Sequence, residues 1–233
     1  MRYNSDDCRF SQQPLRTELT GSPPVLWSCA PLLFLLGSES PEGEEIASLD
    51  VENLFTNVPL EETIQIILDK VYRSDMTPLP IPENLLRELL TACTTEAPFR
   101  THRNEIFKQI NGVSMGSPLG VLFAEMYMAR VEERTFGKIS RPKLYVRYRD
   151  DIFTIVNKTH EIDGLAMALE ENSVLKFTIE RSQNNCLPYL DVFVEQTPSK
   201  FYTKVYTKPT NAGRCLNARG ETSDAYKRSV ISA

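Results

Sequence analysis

A pair of adjacent carboxylates between two apolar strand segments constrains this chain more than any other feature. Leu144-Tyr-Val-Arg-Tyr148 and Ile152-Phe-Thr-Ile-Val156 read as short strands, with Arg149-Asp150-Asp151 at the turn between them. Adjacent aspartates at a hairpin tip repel each other, and two readings compete. One is an ordinary solvated turn, where Asp is common. The other is a divalent cation held by carboxylate oxygens. The apolar flanks bury the hairpin in a sheet and hold the carboxylates at a fixed place. Asp50 supplies a partner, because it too lies in an apolar strand segment, Ile46-Ala-Ser-Leu-Asp50-Val51. If the two segments are sheet neighbours, Asp50 and Asp150 converge. Taken alone, Asp50 fits a turn or the approach to a helix equally well.

The remaining pattern places these segments in an α+β chain. Pro59 to Tyr72 predicts a helix: proline suits the first turn, Glu61 and Glu62 complement the N-terminus, and Ile64, Ile67, Leu68 and Val71 share a face. A second helix starts near Pro82 and is expected to bury Leu85, Leu86, Leu89 and Leu90. Residues 97–108 alternate like a hairpin around His102-Arg103-Asn104. A loop with Gly112, Gly116, Ser117 and Pro118 leads into a third helix, Leu119 to Arg134. A fourth helix is predicted over Glu161–Glu171, and further strands over Lys176–Glu180, Tyr189–Glu195 and Phe201–Tyr206. This order predicts an antiparallel sheet with helices packed on one face.

Composition decides between function classes only in part. A chain of 233 residues with 41% hydrophobic and 24% charged residues suits one ordinary globular domain. The net charge of -5 weighs against a self-sufficient nucleic-acid binder, since phosphates are gripped by Lys and Arg. The distribution offsets this: seven basic residues between Lys200 and Arg228 face only Glu221 and Asp224. Cys8, Cys29, Cys93, Cys186 and Cys215 are odd in number and widely spaced, which argues against a disulfide framework or a zinc site. They read as small buried hydrophobes in a reducing intracellular compartment. The apolar run Val25 to Leu36 is too short to span a bilayer, so no membrane partner is expected. Residues 1–40 lack periodicity and read as a separate segment.

Several motifs then resemble, in order, those of Penelope-like reverse transcriptases, a family similar to telomerase. Ser48-Leu-Asp50-Val-Glu-Asn-Leu-Phe55-Thr-Asn-Val-Pro59 is similar to their motif A, and Gln109-Ile-Asn-Gly112-Val-Ser-Met115-Gly116-Ser117-Pro118-Leu119 to motif B. Tyr145-Val-Arg-Tyr148-Arg149-Asp150-Asp151-Ile-Phe153 resembles motif C. Phe177-Thr-Ile-Glu180 with Leu187-Pro-Tyr-Leu190-Asp191-Val resembles motif D and its sequel, and Val205-Tyr206-Thr-Lys208-Pro209-Thr210 the start of the primer grip.

The resemblance implies a polymerase palm over residues 41–196, with the primer-grip region and the start of a thumb over 197–233. It implies an RNA-directed DNA polymerase that uses two Mg²⁺ ions (Mn²⁺ as a substitute), an RNA template, a DNA primer and dNTPs, inside the cell and in the nucleus before the cytoplasm. By position, Asp50 and Asp150 become the main metal ligands with Asp151 close by. Phe55 becomes a steric gate against the ribose 2′-hydroxyl; without the motif it reads as a core aromatic. Gln109, Gly112, Gly116, Ser117 and Pro118 become the loop under the templating base and incoming nucleotide. Lys204, Lys208 and Arg214 become contacts to the nucleic-acid backbone.

Arg149 departs from motif C, which usually has a small or apolar residue there. Its guanidinium either pairs with Asp150 or Asp151, competing with the metal, or points to solvent. The resemblance also implies fingers, a thumb and a GIY-YIG endonuclease that this sequence does not carry. A non-catalytic remnant or nucleic-acid-binding module that keeps the palm fold therefore stands as the second reading, and another two-metal enzyme, such as a nuclease, as the third. Phe55 and the Gly116-Ser-Pro loop favour the polymerase over the nuclease.

Overall fold

The computed structural model describes residues 43–73, 79–95, 98–114 and 117–209. Residues 1–40, Gly116 and Arg214 lie outside the described residues. The central sheet has four antiparallel strands in the order β4-β5-β1-β6: β1 is Glu45–Val51, β4 Leu144–Tyr148, β5 Asp151–Val156 and β6 Phe177–Arg181. β2 (Pro98–Arg100) and β3 (Ile106–Lys108) form a separate two-stranded hairpin. The five helices among the described residues are α1 (Leu54–Asn57), α2 (Leu60–Tyr72), α3 (Glu83–Thr95), α4 (Pro118–Phe136) and α5 (Thr159–Glu171).

Because side chains alternate across a strand, the central sheet has two distinct faces. Leu49 and Val51 of β1 and Ile152 of β5 bury against Ile64, Ile67 and Leu68 of α2 and Phe123, Tyr127 and Met128 of α4. Ala47 and Val156 pack with Ile162 of α5 on the same side. The helices thus cover one face, as the sequence predicts. On the opposite face, Ile46, Phe153 and Ile155 pack against a second, three-stranded sheet. It consists of β7 (Cys186–Tyr189), β8 (Val192–Gln196) and β9 (Phe201–Val205), whose contributors are Leu187, Tyr189, Val194 and Phe201. The division between residues 196 and 197 therefore falls inside a continuous sheet.

Three expectations need correction. The single strand over 189–195 is a hairpin, with Leu190 at φ 53 in the turn between β7 and β8. An apolar residue in a left-handed turn position hides that turn from a reading of the sequence. Of the four α3 leucines only Leu90 is buried and Leu86 partly so, while Leu85 and Leu89 are 41% and 49% exposed. One edge of α3 meets α2, and the other leucines face outward. Cys93 is exposed rather than buried. The sequence pattern also misses α1, a single helical turn entered through Asn53 in the left-handed region (φ 51).

Candidate active site

The alternation that buries Leu49 and Ile152 under the helices sends Asp50 and Asp151 to the other face. The two are register partners across β1 and β5. Asp150 precedes Asp151 in the two-residue loop after β4, so the register brings all three carboxylates to one end of the central sheet. The second sheet reaches this end through Tyr189 at the close of β7, and a cavity remains open beside the carboxylates. Asp50 is exposed, and Asp150 and Asp151 are partly covered.

Three successive carbonyls of this loop are each fixed from a different element. The Arg149 carbonyl accepts from the Arg147 guanidinium at 3.0 Å. The Asp150 carbonyl accepts from Val51 N–H at 3.1 Å. The Asp151 carbonyl accepts from the Tyr189 hydroxyl at 3.1 Å. A loop anchored in this way presents its carboxylates at a defined position rather than as a mobile solvated turn.

The electrostatics follow from crowding like charges. Partial burial raises the Asp50 carboxyl above its ordinary range, and neighbouring Asp150 and Glu52 raise it further. Asp151 is pushed up to about 6 by burial and by Asp150 and Asp50, with Lys208 acting in the opposite sense. Among the described residues, no ion pair involves any of the three aspartates. Arg149 is exposed, sits at φ 57, and lays its guanidinium over the Tyr148 ring at 5.5 Å. It forms no ion pair with either aspartate beside it.

Clustered hard oxygen donors without a paired cation suit Mg²⁺ or Mn²⁺. Among the described residues, however, no group of three or more His, Cys, Asp or Glu is assembled for a metal ion. Magnesium retains much of its water and is held through one or two carboxylates plus substrate phosphates, so a pair is a sufficient protein contribution.

A cavity of about 610 Å³ opens beside the carboxylates, lined among others by Asp50, Asp151, Thr178, Tyr189, Tyr206 and Lys208. Lys208 thus stands at the acidic site, while Lys204 does not. The ammonium of Lys204 lies 4.5 Å over the Phe193 ring and 4.0 Å from Glu195 on the second sheet. Phe55 does not line the cavity. Its ring is partly buried against the helix-side core, near the start of α4.

The motif B loop is tied to Phe55 through its backbone: Val113 N–H donates to the Phe55 carbonyl at 2.7 Å. Gly112 adopts φ +66, and a Cβ there would stand 2.4 Å from the Phe55 oxygen, so only glycine fits. Gln109 turns inward and braces the loop, donating to the Asn111 carbonyl at 2.8 Å and accepting from Ser114 at 3.4 Å. Ser117 precedes α4 without a side-chain cap, and Pro118 opens that helix. Arg147 and Tyr189, which fix the acidic loop, have no signal in the sequence beyond their place in apolar strands. Their role depends on which element each one faces.

The fold has counterparts among known proteins. No curated protein matches the chain by sequence. A telomerase from Candida albicans, solved in complex with the TWJ fragment of telomeric RNA, superposes with a TM-score of 0.55 at 12% identity, covering 73% of this chain and 32% of that one. An apo telomerase from Candida tropicalis, truncated from its C-terminal domain, gives 0.53 at 12% identity over 69% and 35%. The BmCPV RNA-dependent RNA polymerase at its elongation state gives 0.50 at 15% identity over 71% and 16%. The chain thus spans about a third of the telomerase lengths, and these likenesses establish a palm-like α+β polymerase fold. The family model described as reverse transcriptase (RNA-dependent DNA polymerase) matches residues 24–182, more than half of the chain, which therefore belongs to the reverse transcriptase family.

Proposed function

We propose that this chain is the palm of a Penelope-like retroelement reverse transcriptase that extends a DNA primer on an RNA template by two-metal nucleotidyl transfer. The observation that carries the reading is the register pairing of Asp50 with Asp151, which gathers two strand aspartates and Asp150 at the open end of one sheet. Asp50 and Asp150 hold the divalent cations, Mg²⁺ by preference, with Asp151 beside them. Cations held there would supply the charge that activates the primer 3′-hydroxyl and neutralises the triphosphate and its leaving group. Lys208 places a positive charge at the same cavity, where it meets a phosphate once the carboxylates are satisfied. Loop 109–117 seats the templating base and incoming dNTP, and Phe55 discriminates against the ribose 2′-hydroxyl. The fingers and thumb of a full-length element complete the grip on substrate, and the nucleus is the expected place of action.

The test is Mg²⁺-dependent extension of an oligo(dT) primer on poly(rA) by the purified chain. Slow extension is expected, lost in Asp150→Asn. Extension that persists in Asp150→Asn rejects the assignment. The net charge of -5 favours a second reading, a non-catalytic module that keeps the fold. Its signature is nucleic-acid binding without extension in either Mg²⁺ or Mn²⁺.

A further inference from the structure

β4 carries a largely covered arginine that a surface hairpin does not require. The Arg147 side chain is 10% exposed. Its Nη1 lies 2.9 Å from Glu125, and its Nε 2.5 Å from Glu132. Both glutamates belong to α4 and stand seven residues apart, two turns along one helical face. Burial opposes the charge on Arg147, but Glu132 and Glu125 outweigh it, so the guanidinium stays protonated. Tyr145 adds a hydroxyl to Glu132 at 3.0 Å. Nη1 also donates to the Arg149 carbonyl at 3.0 Å. One planar group therefore joins two points on α4 to the loop that carries Asp150.

From this we propose that Arg147 is a positioning residue, and that its clamp on Glu125 and Glu132 sets the acidic loop at a fixed distance from α4. The inference rests on the reading of Asp150 as part of a cation site. α4 begins at Pro118, directly after the loop read as the nucleotide seat, and Glu125 lies seven residues further along. At a rise of about 1.5 Å per residue, the helix spans roughly 10 Å between them. A rigid helix clamped at Glu125 and Glu132 thus gauges the separation of the nucleotide loop from the metal-binding loop. The guanidinium suits this task because its fork bonds several acceptors at once in one plane. A lysine offers one nitrogen on a flexible stem and cannot span the same acceptors.

The experiment compares the full chain with Arg147→Lys and with the charge-balanced triple variant Arg147→Met, Glu125→Gln, Glu132→Gln. The triple variant leaves no uncompensated buried charge. Three readouts are taken: thermal unfolding, hydrogen exchange of the 149–151 amides, and Mn²⁺ affinity. Both variants are expected to fold. In both, the loop amides should exchange about ten-fold faster while β6 amides stay as in wild type, and Mn²⁺ should bind about ten-fold more weakly. Unchanged loop exchange in a folded variant overturns the proposal, as does loop exchange that only follows global unfolding. If the triple variant does not fold, Arg147→Lys decides by the same criterion. The cation reading fails separately: wild type that binds no Mn²⁺, or Asp50→Asn that binds it equally well, rejects that reading, while the exchange data still decide the role of Arg147.

Discussion

Asp50 and Asp151 face each other as register partners of two neighbouring strands, on the face that the helices leave uncovered. This pairing makes stability depend on pH in a stated direction. Burial and the neighbouring aspartates raise Asp151 from 3.8 to about 6 in the folded chain. Between those values the folded state binds the proton more tightly than the unfolded chain does. Stability is therefore lost as pH rises through that window, and the full penalty is present above it. Asp151→Asn should flatten this dependence and raise the melting temperature at neutral pH. Mg²⁺ should stabilise wild type more at neutral pH than near pH 4, because protonated carboxyls do not hold it. Thermal melts across pH, with and without Mg²⁺, check both; a melting temperature that rises through the window contradicts the assignment.

Gly112 and Gly164 should respond to the same substitution in opposite directions. A Cβ on Gly112 meets the Phe55 oxygen at 2.4 Å and Thr56 Cα at 2.5 Å, with φ at +66. Neither backbone atom can yield locally, so Gly112→Ala should destabilise by about 2–4 kcal/mol. Gly164 lies exposed inside α5 with nothing within 4 Å of a Cβ. Gly164→Ala should stabilise by about 0.5–1 kcal/mol. Urea denaturation of the two variants measures both changes.

The placement of Arg149 over Tyr148 predicts that removing its charge does not tighten metal binding. At φ 57 a β-branched side chain is strained, so Arg149→Val should destabilise by about 1–2 kcal/mol. Arg149→Gly relieves that strain and loses a cation–π contact worth about 0.5–1 kcal/mol, leaving stability nearly unchanged. A Mn²⁺ titration should show affinities equal to wild type in both. A several-fold gain in either variant means that the guanidinium meets the aspartates in solution.

Phe55→Ala tests the sugar gate against a purely structural role. The ring is partly buried against the core, so some loss of stability is expected in either case. The gate adds a second effect: incorporation of ribonucleotides relative to deoxynucleotides should rise in primer extension. Unchanged discrimination in a folded variant assigns Phe55 to the core alone.

The sequence by itself determined the strands and helices that carry the site. Alternation around Asp50, the short apolar run after Asp151, and helical spacing over Leu60–Tyr72 and Pro118–Phe136 are local patterns that follow from backbone geometry. It also marked the acidic loop and the glycine-bearing loop, because few residue types suit such positions. Only the tertiary structure decided how these pieces meet. Sheet order is a long-range choice, and the placement of β1 between β5 and β6 is what sets Asp50 opposite Asp151. The turn at Leu190 has no local signature, since its left-handed backbone is held by the sheet on either side of it. Arg147 and Arg149 stand two residues apart in one motif, yet one is clamped by α4 and the other lies in solvent over a ring. Their different roles come from the elements that pack beside them, which no local spacing encodes.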